Sequence, residues 1–261
     1  MGPSQEGCER MSRTWTAALL IIGDEILSGR TQDKNVAQIG QWLNLQGIRL
    51  TEVRIVPDVM ERIVAAVNAL RSANDYLFTT GGIGPTHDDI TVDAVAEALG
   101  LAVVEHPEAL AMLERYYAKI DKELTPARRR MARTPEGADL IPNPVSGAPG
   151  IVVGNVYMMA GIPHITAGMI EGLTGQLEGG KPLVSVTVGA FAPESEVFEL
   201  LIDTQKAHEG TQIGSYPFFK EGKVGANFVI RAEDEDLAAT CAKALAAGLA
   251  EAGYDPTPGG L

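Results

Sequence analysis

Cysteine is almost absent from this chain: among 261 residues only Cys8 and Cys241 carry thiols, far apart in sequence. That excludes a disulfide framework and fits two reduced thiols in a cytoplasmic protein. Long apolar runs are missing as well. None reaches the ~18 residues of a membrane span, and the opening MGPSQEGCERMSRTW has no apolar signal core. Neither membrane insertion nor export is expected. Residues 1–14 read as a disordered arm, with Met11 an alternative natural start.

Positive charge is scarce: 21 Lys and Arg stand against 34 Asp and Glu, giving a net charge of −13. Nucleic-acid binding needs clustered cations against the phosphates, so it is not expected. An acidic chain still binds a phosphorylated small molecule when backbone N–H groups or a metal supply the positive charge. Zinc-ligand histidine spacing, H-E-x-x-H and G-x-S-x-G are absent, which removes sequence support for a zinc site or a hydrolase triad.

What is present alternates. Continuous apolar TAALLIIG (16–23) reads as a strand buried on both faces. A helix follows with Val36, Ile39 and Leu43 on one face and a stop at Gly47, then the strand RLTEVRIV (49–56). Asp58 and Glu61 resemble a capping box opening the next helix. DYLFTT (75–80) is a third strand, TVDAVAEALG (91–100) a helix, residues 107–121 an amphipathic helix, and GIVVGNVYMMAG (150–161) a hairpin turning at Gly154-Asn155. A helix near 164–177 closes this half, and LEGGKP (177–182) is the expected linker. The pattern predicts an α/β domain over 15–177 with a mostly parallel sheet. Residues 183–253 give a β-α-β-β-α order, an α+β ferredoxin-like domain, and 254–261 a disordered tail.

Three segments place acids at successive strand ends. In IIGDEILSG, Gly23 ends a strand, and Asp24 and Glu25 are either solvated turn acids or the rim of a ligand site. Asp58 is either a helix cap or delivered to that same edge. In TTGGIGPTHDD, Thr80 leads into Gly81, Gly82 and Gly84, which let a backbone approach a ligand closely, with Pro85 and Thr86 following. The block is neither G-x-G-x-x-G nor a Walker A loop. Asp88 and Asp89 either complement a helix dipole or join Asp24, Glu25 and Asp58 around a divalent cation such as Mg²⁺, Mn²⁺ or Co²⁺. Such a cation would draw a pyrophosphate or oxyanion into a negative pocket. His87 is the histidine nearest this block. A second loop offers Ser146, Gly147, Gly161 and Pro163, by turn chemistry or as a phosphate- or pterin-facing wall. Arg128, Arg129, Arg130 and Arg133 form either a solvated face or partners for a ligand phosphate.

IIGDEILSGRTQDKNVAQIGQWLNLQGI, RIVPD, TTGGIGPTHDDITVDAVAEALG, PNPVSGAPG and MAGIPH occur in the order found in the molybdopterin-binding domain of molybdenum-cofactor biosynthesis proteins. The chain most resembles the CinA (competence/damage-inducible) branch and the matching domain of eukaryotic FAD synthases, over residues 16–177. The resemblance implies a three-layer α/β/α fold, a homo-oligomer, and molybdopterin bound at this sheet edge with Asp58, Gly81, Gly82, Gly84 and Asp89. It also implies metal-dependent cleavage of ADP-ribose or FAD, with Asp58, Asp88 and Asp89 as catalytic candidates; the other reading is a pterin-binding module without turnover. Ala160 stands where CinA-type chains carry Pro, and His164-Ile165-Thr166 follows Pro163. Deamidation of nicotinamide mononucleotide, the work of a separate amidase domain, is not expected of these residues.

Overall fold

A computed structural model describes residues 13–220 and 222–261. The expected arm with Cys8 and Met11 therefore lies almost wholly outside the described residues. The chain forms two compact units, divided between Gly180 and Lys181.

The larger unit is built on one six-stranded sheet. Its elements run β1 (Trp15–Ile22), α1 (Asp24–Leu27), α2 (Asn35–Leu45), β2 (Ile48–Val56), α3 (Met60–Ala73), β3 (Tyr76–Thr80), α4 (Thr91–Leu99), β4 (Val103–Glu105) and α5 (Pro107–Lys119). They continue through α6 (Pro126–Arg129), β5 (Arg133–Pro135), β6 (Asp139–Ile141), β7 (Gly150–Val153), β8 (Val156–Met159) and α7 (Pro163–Gly172). The sheet order is β2-β1-β3-β8-β7-β6. β2, β1, β3 and β8 run parallel, whereas β7 and β6 add antiparallel to the β8 side.

β1 shows why the apolar run is continuous. Ala18, Leu20 and Ile22 enter one core with Ile63, Val67, Leu70, Val92 and Val95 of α3 and α4. Ala17, Leu19 and Ile21 enter the other with Ile39 and Leu43 of α2 and Ile165 and Met169 of α7. The strand is buried on both faces, as parallel sheets between helical layers require. Each fully buried Leu or Ile contributes about 1.5–3 kcal/mol. The result is the three-layer α/β/α architecture with a mostly parallel sheet.

Local expectations fared unevenly. The Gly154-Asn155 hairpin joins β7 to β8, and Gly100 ends α4 in the left-handed conformation. The capping box at Asp58 is not formed: the cap of α3 is Val59, without a side-chain hydrogen bond, and the Asp58 carboxylate turns instead to the backbone of Asp24. The helix expected near 164–177 stops at Gly172. The β4–β5 ladder and β6 were not anticipated, being three-residue strands without a periodic signature.

The smaller unit contains β9 (Val184–Ala190), α8 (Phe198–Ala207), β10 (Gln212–Lys220), β11 (Lys223–Ala232), α9 (Glu235–Glu251) and β12 (Thr257–Pro258). Its antiparallel sheet has the order β10-β11-β9-β12, the split-βαβ arrangement of a ferredoxin-like fold. Phe228, Ile230, Leu245 and Leu249 anchor its core. The expected disordered tail is corrected. Thr257 and Pro258 pair with β9, and the Leu261 N–H donates to the Asn227 side-chain oxygen at 2.8 Å. That pairing joins segments about 70 residues apart, so a composition of Pro and Gly could not reveal it.

Among the described residues, no helix is long and apolar enough to cross a membrane.

Candidate functional site

Because β1, β2, β3 and β8 run parallel, their carboxyl ends deliver the chain to one edge of the sheet. Open α/β sheets bind ligands there. A cleft of about 620 Å³ opens at that edge.

From β1 come Gly23 and Glu25; from the end of β2, Asp58; from β3, Gly81 to Thr86, Asp88 and Asp89; from β8, Ala160 to Pro163. Ser146 closes the cleft from the β6–β7 loop. Three predicted residues do not line it. Asp24 contributes its backbone N–H, which donates to Asp58 Oδ2 at 3.0 Å. Thr80 is buried within β3, its hydroxyl without a partner. Gly147 faces a neighbouring groove with Met112 and Arg115. His87, 99% exposed, points into solvent.

The glycine loop is shaped by close approach. Gly81 and Gly82 hold φ of +98° and +67°, and a Cβ on Gly82 would overlap the Thr91 hydroxyl. That hydroxyl donates to the Gly81 carbonyl at 2.9 Å, while the Thr91 N–H donates to the Gly82 carbonyl at 3.0 Å. The loop is thus strapped to the first residue of α4. Asp89 fastens its far side: one carboxylate oxygen accepts the Thr86 N–H at 2.7 Å and the Thr86 hydroxyl as well. The β8 loop is tied by Asn35, a buried residue of α2 whose amide donates to the Gly161 carbonyl at 2.9 Å.

The carboxylates share the cleft without converging. Among the described residues no group of three or more His, Cys, Asp or Glu is arranged to hold a metal ion. The five acids expected from the sequence are not gathered into a preformed centre: Asp24 does not line the cleft, and one oxygen of Asp89 is taken by Thr86. The donor set nonetheless suits Mg²⁺ or Mn²⁺. Such hard ions accept one or two carboxylates, keep waters, and take their remaining ligands from substrate phosphates.

Partial burial raises the Asp58 carboxyl above its ordinary range; the Asp24 N–H opposes this, and the Asp24, Glu25 and Asp88 carboxylates add to it. A carboxyl raised in the folded state favours folding below its unfolded value and loses that contribution as pH climbs through the folded value. Asp58→Asn, whose side-chain oxygen still accepts from Asp24, should therefore melt above the wild type at pH 7. The gain should shrink toward pH 3.5, and paired thermal melts across that range check it.

Three of the four arginines are engaged within the protein. Arg129 makes a two-pronged pair with Glu105 at 2.6 and 2.7 Å, Arg133 pairs with Asp93, and Arg128 lies over the Tyr117 ring. Arg130 has no side-chain partner among the described residues, and it lines a small void adjoining Gly84 and Asp89. Among the described residues, no Lys or Arg lines the main cleft.

Residues 18–178 match the family described as a probable molybdopterin binding domain. The chain belongs to this family, in its CinA-like branch. Residues 182–257 match the middle domain of FAD synthase. A CinA-like protein of Citrifermentans bemidjiense is 40% identical over 193 residues, covering 70% of this chain and 46% of that relative. A protein of Aeropyrum pernix is 35% identical over 218 residues, 80% of each chain. The solved structure of a CinA protein of unknown function from Thermoplasma acidophilum shares 33% identity and a TM-score of 0.57, covering 62% of this chain and 98% of that one. The chain thus spans about half the length of the first of these relatives.

Within this family framework, Thr31, Tyr117, Met131, Asn143, Ile165 and Met169 line the cleft without having been singled out from the sequence. An Asn-Pro step marks a turn, so Asn143 had a usable signal. Its side chain braces that turn, donating to Ser146 Oγ at 2.6 Å and to the Ala148 carbonyl at 2.7 Å. Tyr117 had none, because it sits on an ordinary amphipathic helix.

Proposed function

We propose that the cleft binds a pterin or nucleotide pyrophosphate and, with a divalent cation, cleaves the pyrophosphate of ADP-ribose, FAD or a related dinucleotide. One observation carries this reading: a single cleft joins a carboxylate-lined glycine loop to an apolar wall, with no cation of its own among the described residues that line it. A phosphorylated ligand is repelled by Glu25, Asp58, Asp88 and Asp89 unless a metal accompanies it. When bound, Mg²⁺, Mn²⁺ or Co²⁺ would polarise the phosphoryl oxygen and activate water. Asp58, Asp88 and the second oxygen of Asp89 are the carboxylate groups that would hold the ion, with Glu25, whose carboxylate lies over Gly23, beside them. Exposed N–H groups of the glycine loop would orient the phosphates. Arg130, beside Asp89, would meet charge developing on the far phosphate.

The test incubates the purified chain with ADP-ribose, FAD or NAD and each of Mg²⁺, Mn²⁺ and Co²⁺, and measures AMP release. Metal-dependent AMP formation is expected. Tight pterin binding with no AMP under any metal would replace this reading with a non-catalytic module for molybdopterin, the alternative that the family supports.

A further inference from the structure

The cleft has two chemically different parts. Beside the carboxylates lies an apolar wall of Met131, Ala148, Ile162, Ile165 and Met169, and the lining holds one aromatic ring, Tyr117. That ring is fixed from outside the cleft. The Arg128 guanidinium carbon stands 4.6 Å from the ring centre while its nitrogen donates to the Glu123 carbonyl at 2.5 Å. Arg128 itself does not line the cleft. Tyr116 meets Tyr117 edge-to-face at 5.4 Å, and Tyr116 itself fills the space where a Cβ on Gly147 would stand. The base of Tyr117 packs on Ala109, Leu113 and Ala132.

A purely structural tyrosine would spend its ring on that small core. This one keeps part of the ring in the cleft, and no hydrogen bond to its hydroxyl is made within the described protein. We propose that Tyr117 is the platform on which the ligand's planar heteroaromatic ring stacks, its phosphates lying toward the glycine loop. Nucleobase, flavin and pterin share that chemistry, since each presents a flat π-face to an offset-stacked phenol. Arg128 immobilises the platform before binding, which lowers the ordering cost of complex formation. The inference rests on the cleft being a nucleotide or pterin site; it does not need turnover.

Calorimetric binding of AMP, FMN and ribose 5-phosphate to the whole chain with Mg²⁺ tests it. Wild type should prefer a ring-bearing ligand. Tyr117→Leu should weaken AMP or FMN by about tenfold, the scale of one base–aromatic stack, and leave ribose 5-phosphate within about twofold. Tyr117→Phe should keep ring affinity within about threefold. Should the leucine variant melt early, Tyr117→Met, which still fills the small core, replaces it. Equal weakening of all three ligands would make Tyr117 structural only and overturn the proposal. So would a wild type that binds ribose 5-phosphate as well as AMP and FMN, or binds none of them. Ring-dependent binding without AMP release from ADP-ribose would leave the platform standing and remove the pyrophosphatase.

Discussion

A Gly82→Ala variant should melt roughly 4–20 °C below the wild type, a large effect for one methyl group. Two costs add. An alanine held at φ +67° adopts a left-handed conformation that costs about 1–2 kcal/mol. The new Cβ would also occupy the position of the Thr91 hydroxyl, which is buried and donates to Gly81. Displacing it leaves a buried polar group unsatisfied, worth a further ~1–3 kcal/mol. A total of about 2–5 kcal/mol at about 2–4 °C per kcal/mol for a unit of this size gives the stated range. Gly100→Ala is the control. It has the same φ of +67° but nothing within 4 Å of the added Cβ, so it carries the strain alone. Equal melting temperatures for the two variants would show that the Thr91 strap contributes nothing. Ligand binding should fall in Gly82→Ala and persist in Gly100→Ala, because only the first sits in the cleft.

That contrast shows which parts of the molecule could be read from sequence. The continuous apolar run of β1 announced a strand covered on both sides, since its alternating residues have two helical layers to meet. The glycine-to-Asp89 block announced a loop at a sheet edge for a similar reason: positive φ and close approach admit little besides glycine. Both signals are local, written in consecutive residues. Asp58 could be read either as a cap or as a residue of the ligand edge, and what decides it, the N–H of Asp24, lies 34 residues earlier and on another strand end. Asn35 reaches Gly161 across 126 residues, and β12 reaches β9 from the far end of its unit. Tyr117 enters the cleft from a helix whose pattern specifies only an amphipathic face. Non-local pairing, which the topology decides, was the invisible part. Acids at three strand ends were legible as a set, but whether they converge was not. The structure spends Asp24's N–H on Asp58 and half of Asp89 on Thr86, leaving an open rim in place of a closed metal cage.

Asp89→Asn separates the two duties that one carboxylate holds. The amide oxygen can still accept the Thr86 N–H, now received at 2.7 Å, so the loop clamp and melting temperature should stay close to wild type. The negative charge is gone. If Asp89 serves the cation and phosphates, metal-dependent AMP release should drop on the order of 100-fold or more, the scale on which ligand-positioning and proton-transfer groups act. Asp89→Ala removes charge and clamp together. It should lose the same activity and about 1 kcal/mol of stability besides, the worth of an ordinary hydrogen bond to a loop N–H. Initial rates with ADP-ribose at saturating metal, beside thermal melts, give both quantities for each variant. Activity that survives in Asp89→Asn but fails in Asp89→Ala would assign Asp89 to the clamp alone. The charge that recruits the cation would then belong to Glu25, Asp58 and Asp88, the other carboxylates that line the cleft.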